Sequence, residues 1–111
     1  SDDFINSIKI ANDLAKKNNI DIYFFLQPTP FARKNPAGIE ISYHNLDEAK
    51  LARKIYKNIS TKINLENFYD ISNIFDNYSE QFFYDYAHLS RKGNLVIAEK
   101  IFEILNKNIK Q

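Results

Sequence analysis

Asp85 and His88 are the residues of this sequence whose types and spacing best fit catalysis. They lie three positions apart, so one turn of chain brings a carboxylate beside an imidazole. A carboxylate that accepts from one ring nitrogen fixes the tautomer and leaves the other nitrogen free as a base. It also stabilises the imidazolium that forms when the base takes a proton. The spacing predicts a general-base pair. The alternative is a purely structural hydrogen bond, because short motifs often occur without function.

The residues around this pair extend the motif. Ser90 is placed to cap a final helix, and Gly93 follows three positions later. Residues 85–90, with Gly93 and the amphipathic segment after it, resemble the last motif of the SGNH/GDSL hydrolases. Residues 23–28 resemble that family's fourth strand with its Pro-bearing loop, and residues 68–72 resemble its fifth strand. The resemblance covers nearly the whole chain, and its last motif is the specific part.

The resemblance implies a role for each member of the pair. His88 would be the base and Asp85 its orienting partner, both assisting a serine from an earlier motif. No G-D-S or G-x-N-D motif occurs in these residues. The resemblance therefore implies the C-terminal part of a serine ester hydrolase (an esterase, lipase or deacetylase), inactive by itself. Its substrate would be an ester-bearing small molecule, lipid or polysaccharide, and it needs no cofactor. An O-acyltransferase variant and a non-catalytic binding or assembly module are the alternatives.

Hydrophobic periodicity predicts the elements that must position the pair. Residues 3–19 are predicted as a helix ending at Asn18 and Asn19, and residues 20–26 as a buried strand that Pro28 stops. Residues 27–44 lack periodicity, and a loop of this length is typical of a lid or binding loop. Residues 45–48 have the spacing of a capping box that opens a second helix. A short strand over residues 68–72 and a helix over residues 91–106 complete the series.

Alternation of helix and strand predicts an α/β fold with a parallel sheet. We expect a three-layer α/β/α, flavodoxin-like sandwich, of which residues 1–111 form the C-terminal half of a single domain without an internal boundary. Two strands are marginal alone. We therefore expect association with a missing N-terminal half or with another copy of the chain. The free nitrogen of His88 should face a cleft at the carboxyl ends of the strands.

Composition excludes several other classes of function. The formal net charge of +1, with both signs interspersed, argues against a nucleic-acid partner. The chain has no cysteine, so disulfides and thiolate metal sites are excluded, and its His and acidic residues show no metal-ligand spacing. No apolar run approaches the roughly 18–20 residues that span a bilayer. The first residues also lack the basic and then apolar order of a signal peptide.

The remaining candidates are more readily explained by structure than by chemistry. We expect the serines outside the motif to be capping or solvated residues, and His44 to be a surface residue or a lid contact. Gln27 and Thr29 follow the first predicted strand, where open α/β sheets bind ligands, but a role in stabilising the loop is favoured. The aromatic side chains beside the pair are interpreted as core residues or as the wall of an acyl pocket: Phe82, Phe83, Tyr84 and Tyr86.

Overall fold

A computed structural model describes residues 2–109 of the chain. Its elements, in chain order, are helix α1 (Asp2–Lys17), strand β1 (Phe24–Leu26), helix α2 (Glu40–His44), helix α3 (Asp47–Lys62), strand β2 (Phe68–Asp70) and helix α4 (Arg91–Ile109). Helices therefore hold about half of the described residues. Over residues 2–109, no helix is both long enough and apolar enough to cross a membrane.

The limits of helix α1 are explained by the charges in its terminal turns and by the backbone conformation that follows it. Two acidic residues occupy its first turn and two lysines its last, which complements the helix dipole. Asn19 adopts a left-handed φ of 56°, and the amide of Ile20 donates to the carbonyl of Ala15 at 2.9 Å. This geometry satisfies a terminal carbonyl and stops the helix. The predicted end of the helix at Asn18 and Asn19 agrees with the structure to within two residues.

The two strands form a parallel pair that is covered mainly on one face. Phe24 lies opposite Phe68, and Leu26 lies opposite Asp70. Leu26 packs into a core with residues of α1 and α3 and the residue that follows α3, whose buried members are Ile5, Ile59 and Ile63. Phe25 points to the opposite face, because side chains alternate along a strand, and its ring stacks on that of Tyr69 at 5.7 Å.

The predicted three-layer sandwich is wrong. Within residues 2–109 only two strands, of three residues each, pair, so the sheet is too small to form a central layer. Helix α4, which a sandwich would place against the second face of the sheet, also does not pack closely on that face. Gly93 is the one buried residue of α4 in the described part of the chain, and a groove of about 400 Å³ separates this helix from β2. The predicted apolar stripe of α4 is at most half-buried, since it meets so little of the sheet.

The long loop over residues 27–44 contains a helix that periodicity did not indicate. Helix α2 closes at Asn45, whose amide donates to the carbonyl of Ile41 at 3.1 Å. Asn45 is thereby the C-cap of α2, and Leu46 becomes the N-cap of α3 without a side-chain hydrogen bond. The predicted capping box is therefore wrong, because the preceding helix already occupies its first residue.

A second core lies beneath the segment that carries the candidate pair. Its buried members are Phe75, Phe82 and Phe83, and the first two rings stack at 4.2 Å. Phe83 meets Phe75 edge-on at 5.9 Å. Aromatic pairs in these geometries contribute about 0.5–1.5 kcal/mol beyond the area they bury. This cluster fixes residues 82 and 83, which lead directly into the candidate site.

Candidate functional site

Asp85 and His88 lie at the tip of a short hairpin. The amide of Tyr84 donates to the carbonyl of His88 at 2.8 Å, and Phe83 and Leu89 form an antiparallel bridge. The amide of Ser90 donates to the carbonyl of Phe82 at 2.6 Å. The two strands of the hairpin are thus tied at its base and immediately below its tip. Asp85 and His88 occupy the closed turn between them.

The Asp85 carboxylate makes three contacts within this turn. Its Oδ1 atom accepts from the amides of Ala87 and His88, at 2.8 and 2.7 Å. Its Oδ2 atom lies 2.8 Å from Nδ1 of the His88 ring. An ionised carboxylate only accepts, so Nδ1 carries the hydrogen and Nε2 of the neutral ring is the free base. The geometry expected of the pair is present, whereas its catalytic role stays a prediction.

The charge of Asp85 is stabilised chiefly by the main chain. The amide of Ala87 lowers the pKa of Asp85 most, followed by the amide and the ring of His88, and together they bring this pKa from 3.8 to about 2. Asp85 is therefore ionised near neutral pH. The ionised carboxylate is an acceptor for the ring hydrogen and so fixes the tautomer of His88.

Helix α4 begins immediately after the pair. The hydroxyl of Ser90 accepts from the amide of Gly93 at 3.0 Å, so the predicted capping role of Ser90 is confirmed. Gly93 permits close packing: a Cβ atom there would lie 3.1 Å from a methyl of Leu89, which would have to shift slightly, and 3.4 Å from Cβ of Phe82. The glycine therefore lets the helix start approach the base of the hairpin, which places His88 two residues before the cap.

The His88 ring is open to solvent. Its side chain is 78% exposed, while that of Asp85 is 38% exposed. A cavity of about 540 Å³ lies at the carboxyl end of β2, between α3 and the long loop, and its lining includes Arg53, Tyr56 and Asp70 but neither Asp85 nor His88. Neither residue of the pair lines this cavity, so the expectation that the free nitrogen faces a cleft at the strand ends stays a prediction.

The aromatic neighbours of the pair divide into two kinds. Phe82 and Phe83 are buried core residues, at 1% and 2% exposure. Tyr84 and Tyr86 are more than half exposed and flank the tip. Of the four aromatic residues considered as an acyl-pocket wall, only these two tyrosines have rings available to a bound molecule.

Several of the other candidate residues take part in hydrogen bonds that stabilise the fold. Thr29 stabilises its loop, since its carbonyl accepts from the amides of Ala32 and Arg33 at 3.2 Å. The carbonyl of His44 accepts from Arg53 at 3.0 Å. Four serines hydrogen-bond to main-chain carbonyls or to Asp70: Ser7, Ser42, Ser60 and Ser72. Ser1 lies outside the described residues.

Arg33 and Glu40 were not predicted to matter, yet they are almost completely buried beside the hairpin. Their side chains form an ion pair at 1% and 0% exposure. Neither residue belongs to a periodic pattern or a motif, and both lie in the segment interpreted as a loop. Only their long-range contacts distinguish them, and these are not visible from local sequence.

The described residues contain an Asp85–His88 pair with the geometry expected of a base and its orienting carboxylate. Within residues 2–109 no hydroxyl hydrogen-bonds to the His88 ring. In the same part of the chain, no three His, Asp or Glu side chains are grouped to hold a metal ion. Comparisons of the chain with known protein families, curated proteins and solved structures found no match.

Proposed function

We propose that this chain supplies the general base His88 and its orienting carboxylate Asp85 to a serine ester hydrolase. The observation that carries the proposal is the 2.8 Å contact between Asp85 Oδ2 and His88 Nδ1. It leaves Nε2 as an exposed hydrogen-bond acceptor held in one orientation. The resemblance of residues 85–90 to the last SGNH/GDSL motif supports the same assignment.

In this reaction Nε2 of His88 takes the proton from a serine hydroxyl as its oxygen attacks the ester carbonyl carbon. The imidazolium then gives that proton to the departing alcohol, which leaves an acyl-enzyme. Water attacks the acyl group with the same base and releases the acid. An acceptor alcohol in place of water turns the hydrolase into an O-acyltransferase. Asp85 stays ionised throughout and stabilises the imidazolium.

The serine and the oxyanion-hole donors come from polypeptide outside residues 2–109 under this proposal. The exposure of His88 supports it, since the ring has an open face on which a nucleophile and an ester can be placed. The substrate is an ester carried by a small molecule, a lipid or a polysaccharide. Tyr84 and Tyr86 flank the ring with apolar surface that suits the acyl or alcohol portion.

The competing proposal is a binding or assembly module without turnover. The observation that favours it is that no serine within residues 2–109 hydrogen-bonds to His88. Under this alternative the contact between Asp85 and His88 merely closes the hairpin.

The test uses the protein at its native length with p-nitrophenyl acetate and a fluorophosphonate probe. We expect hydrolysis and labelling of one serine, and His88→Ala should lower kcat/KM by roughly 10⁴-fold. Asp85→Asn should cause a loss of the same order, because an amide in place of the carboxylate favours the wrong tautomer. His44→Ala is the matched control and should stay within about threefold.

Two results would reject the hydrolase. One is full activity in a folded His88→Ala variant. The other is a folded wild-type protein that neither turns over the ester nor reacts with the probe, which would favour the binding module.

A further inference from the structure

Arg33 and Glu40 form a charged pair in the interior of the chain. Burying two charges is unfavourable unless their remaining donors and acceptors also find partners. The Arg33 guanidinium donates to the carbonyl of Glu80 at 2.7 Å and to that of Tyr78 at 2.8 Å. It also lies over the ring of Phe82, 5.0 Å from its centre. The cation is thereby fixed against the segment that leads into the hairpin.

Glu40 receives donors from two distant parts of the chain. Its Oε1 atom bonds Arg33 and accepts from the amide of Ala37 at 2.9 Å. Its Oε2 atom accepts from the amides of Phe82 and Phe83, at 2.8 and 2.9 Å. Hydrogen bonds to an ionised acceptor are roughly twice as strong as neutral ones, and here they are shielded from water. A single buried carboxylate thus holds both amides at the base of the hairpin.

These amides lie directly below the candidate pair. The carbonyl of Phe82 accepts from Ser90, and Phe83 forms the bridge to Leu89. The next residue, Tyr84, closes the turn on the carbonyl of His88. Displacing the amides of residues 82 and 83 would therefore shift both strands of the hairpin whose turn contains Asp85 and His88.

We propose that Glu40 is a positioning residue for the Asp85–His88 pair and sets its orientation through the amides of Phe82 and Phe83. The structural part of this inference concerns hairpin geometry alone. Its consequence for catalysis rests on the proposed function. A displacement of the general base His88 by about 1 Å would then lower the rate by on the order of 10²-fold. Residues 27–44 then act as a fixed support for the site, not as a moving lid.

The experiment compares Glu40→Gln with wild type by NMR on the chain itself, so that it needs no esterase activity. Glutamine keeps the shape of the side chain but removes the charge and one acceptor. Amide exchange at Phe82 and Phe83 should accelerate by about tenfold or more. The ¹⁵N shifts of the His88 ring should move away from the form with hydrogen on Nδ1. Glu103→Gln, an exposed surface change on α4, is the matched control and should alter neither signal.

A second variant answers the possibility that Glu40→Gln fails to fold. Replacing both members of a buried ion pair with apolar residues is often tolerated, because no lone charge remains. Arg33→Met/Glu40→Leu should therefore fold and still show fast exchange at residues 82 and 83 with an altered His88 ring.

Unchanged ring shifts and unchanged exchange at these amides in either folded variant would overturn the inference. Altered signals in a protein that has no ester hydrolysis would instead reject the proposed function, while the positioning of the hairpin by Glu40 would stand.

Discussion

The carbonyl of Phe82 accepts a hydrogen bond from the amide of Ser90 over 2.6 Å. This contact joins a ring buried in the second core to the residue that caps α4. Asp85 and His88 lie between the two ends of the bond, so their turn is held by a packed aromatic residue on one side and by a helix start on the other. The stability of the candidate site therefore depends on both supports, and each can be removed separately.

Removing the aromatic support should be costly. Phe75 is fully buried and stacks on Phe82, so Phe75→Ala leaves a cavity and should lower the free energy of unfolding by about 3–5 kcal/mol. Phe102→Ala is the matched control, because Phe102 is 69% exposed and its loss should change stability by less than about 0.5 kcal/mol. Urea unfolding of both variants measures the difference. Equal losses of stability in the two variants would contradict the packing of Phe75 in the second core.

Removing the helix cap should have a smaller effect. Ser90→Ala deletes the acceptor for the amide of Gly93 and should cost about 1 kcal/mol. Ser7→Ala controls for the loss of a hydroxyl, since Ser7 bonds only the carbonyl four residues earlier in α1 and should fall within about 0.5 kcal/mol of wild type. Denaturant midpoints decide the comparison. A harmless Ser90→Ala would show that the cap is dispensable.

Acid should weaken the hairpin through Asp85. Its pKa of about 2 in the folded chain lies below the ordinary 3.8. The contacts of the carboxylate therefore stabilise the fold above pH 3.8, and this contribution is lost as the pH falls toward 2. A ¹³C carboxyl titration should show a midpoint near 2. In His88→Ala the midpoint should rise yet stay below 3.8, because main-chain amides are the largest cause. A wild-type midpoint at 3.8 or above would contradict the hydrogen bonds of the Asp85 carboxylate within the turn.

Gly38 connects the long loop to the hairpin through Gln81. It has a left-handed φ of 59°, and a Cβ atom there would overlap the side-chain oxygen of Gln81. That oxygen accepts from the amide of Ile39 at 3.1 Å, while the Gln81 amide donates to the carbonyl of Phe83 at 2.9 Å. Gly38→Ala should destabilise the chain by about 2 kcal/mol, from backbone strain and lost hydrogen bonds.

A double-mutant cycle separates the two causes. In a Gln81→Ala background the overlap is absent, so Gly38→Ala should cost only the strain, about 1 kcal/mol. Strict additivity of the two substitutions in thermal or urea unfolding would refute the predicted contact.

Local features of the site could be predicted from sequence, whereas its supports could not. Asp85 contacts His88 across three residues, and Ser90 caps its own helix, so both relations depend only on nearby chain. The predicted strand over residues 20–26 shortened to Phe24–Leu26, because only one neighbouring strand is present in the described residues to pair with it.

The contact of Glu40 with Phe82 illustrates what periodicity misses. It joins residues 42 positions apart through a charged side chain in an irregular loop. Hydrophobic patterns place such a residue at the surface, since an isolated charge avoids burial. Its burial is made acceptable by Arg33 and by three main-chain amides, those of Ala37, Phe82 and Phe83. The same limitation explains the wrong fold class, because apolar stripes on α4 did not reveal how little of the sheet that helix would meet.

The separation of these partners along the chain also has a kinetic consequence. Closing a segment of 42 residues costs chain entropy before any contact is gained, so this step is slow relative to formation of the helices and of the turn itself. The imidazole and carboxylate can meet transiently in a nascent hairpin on a microsecond scale. We expect the support from Glu40 to be added only after α3 and β2 have brought the loop back to residue 82. We therefore expect the supported arrangement of the pair to form late in folding, after the contact between Glu40 and residue 82 has closed.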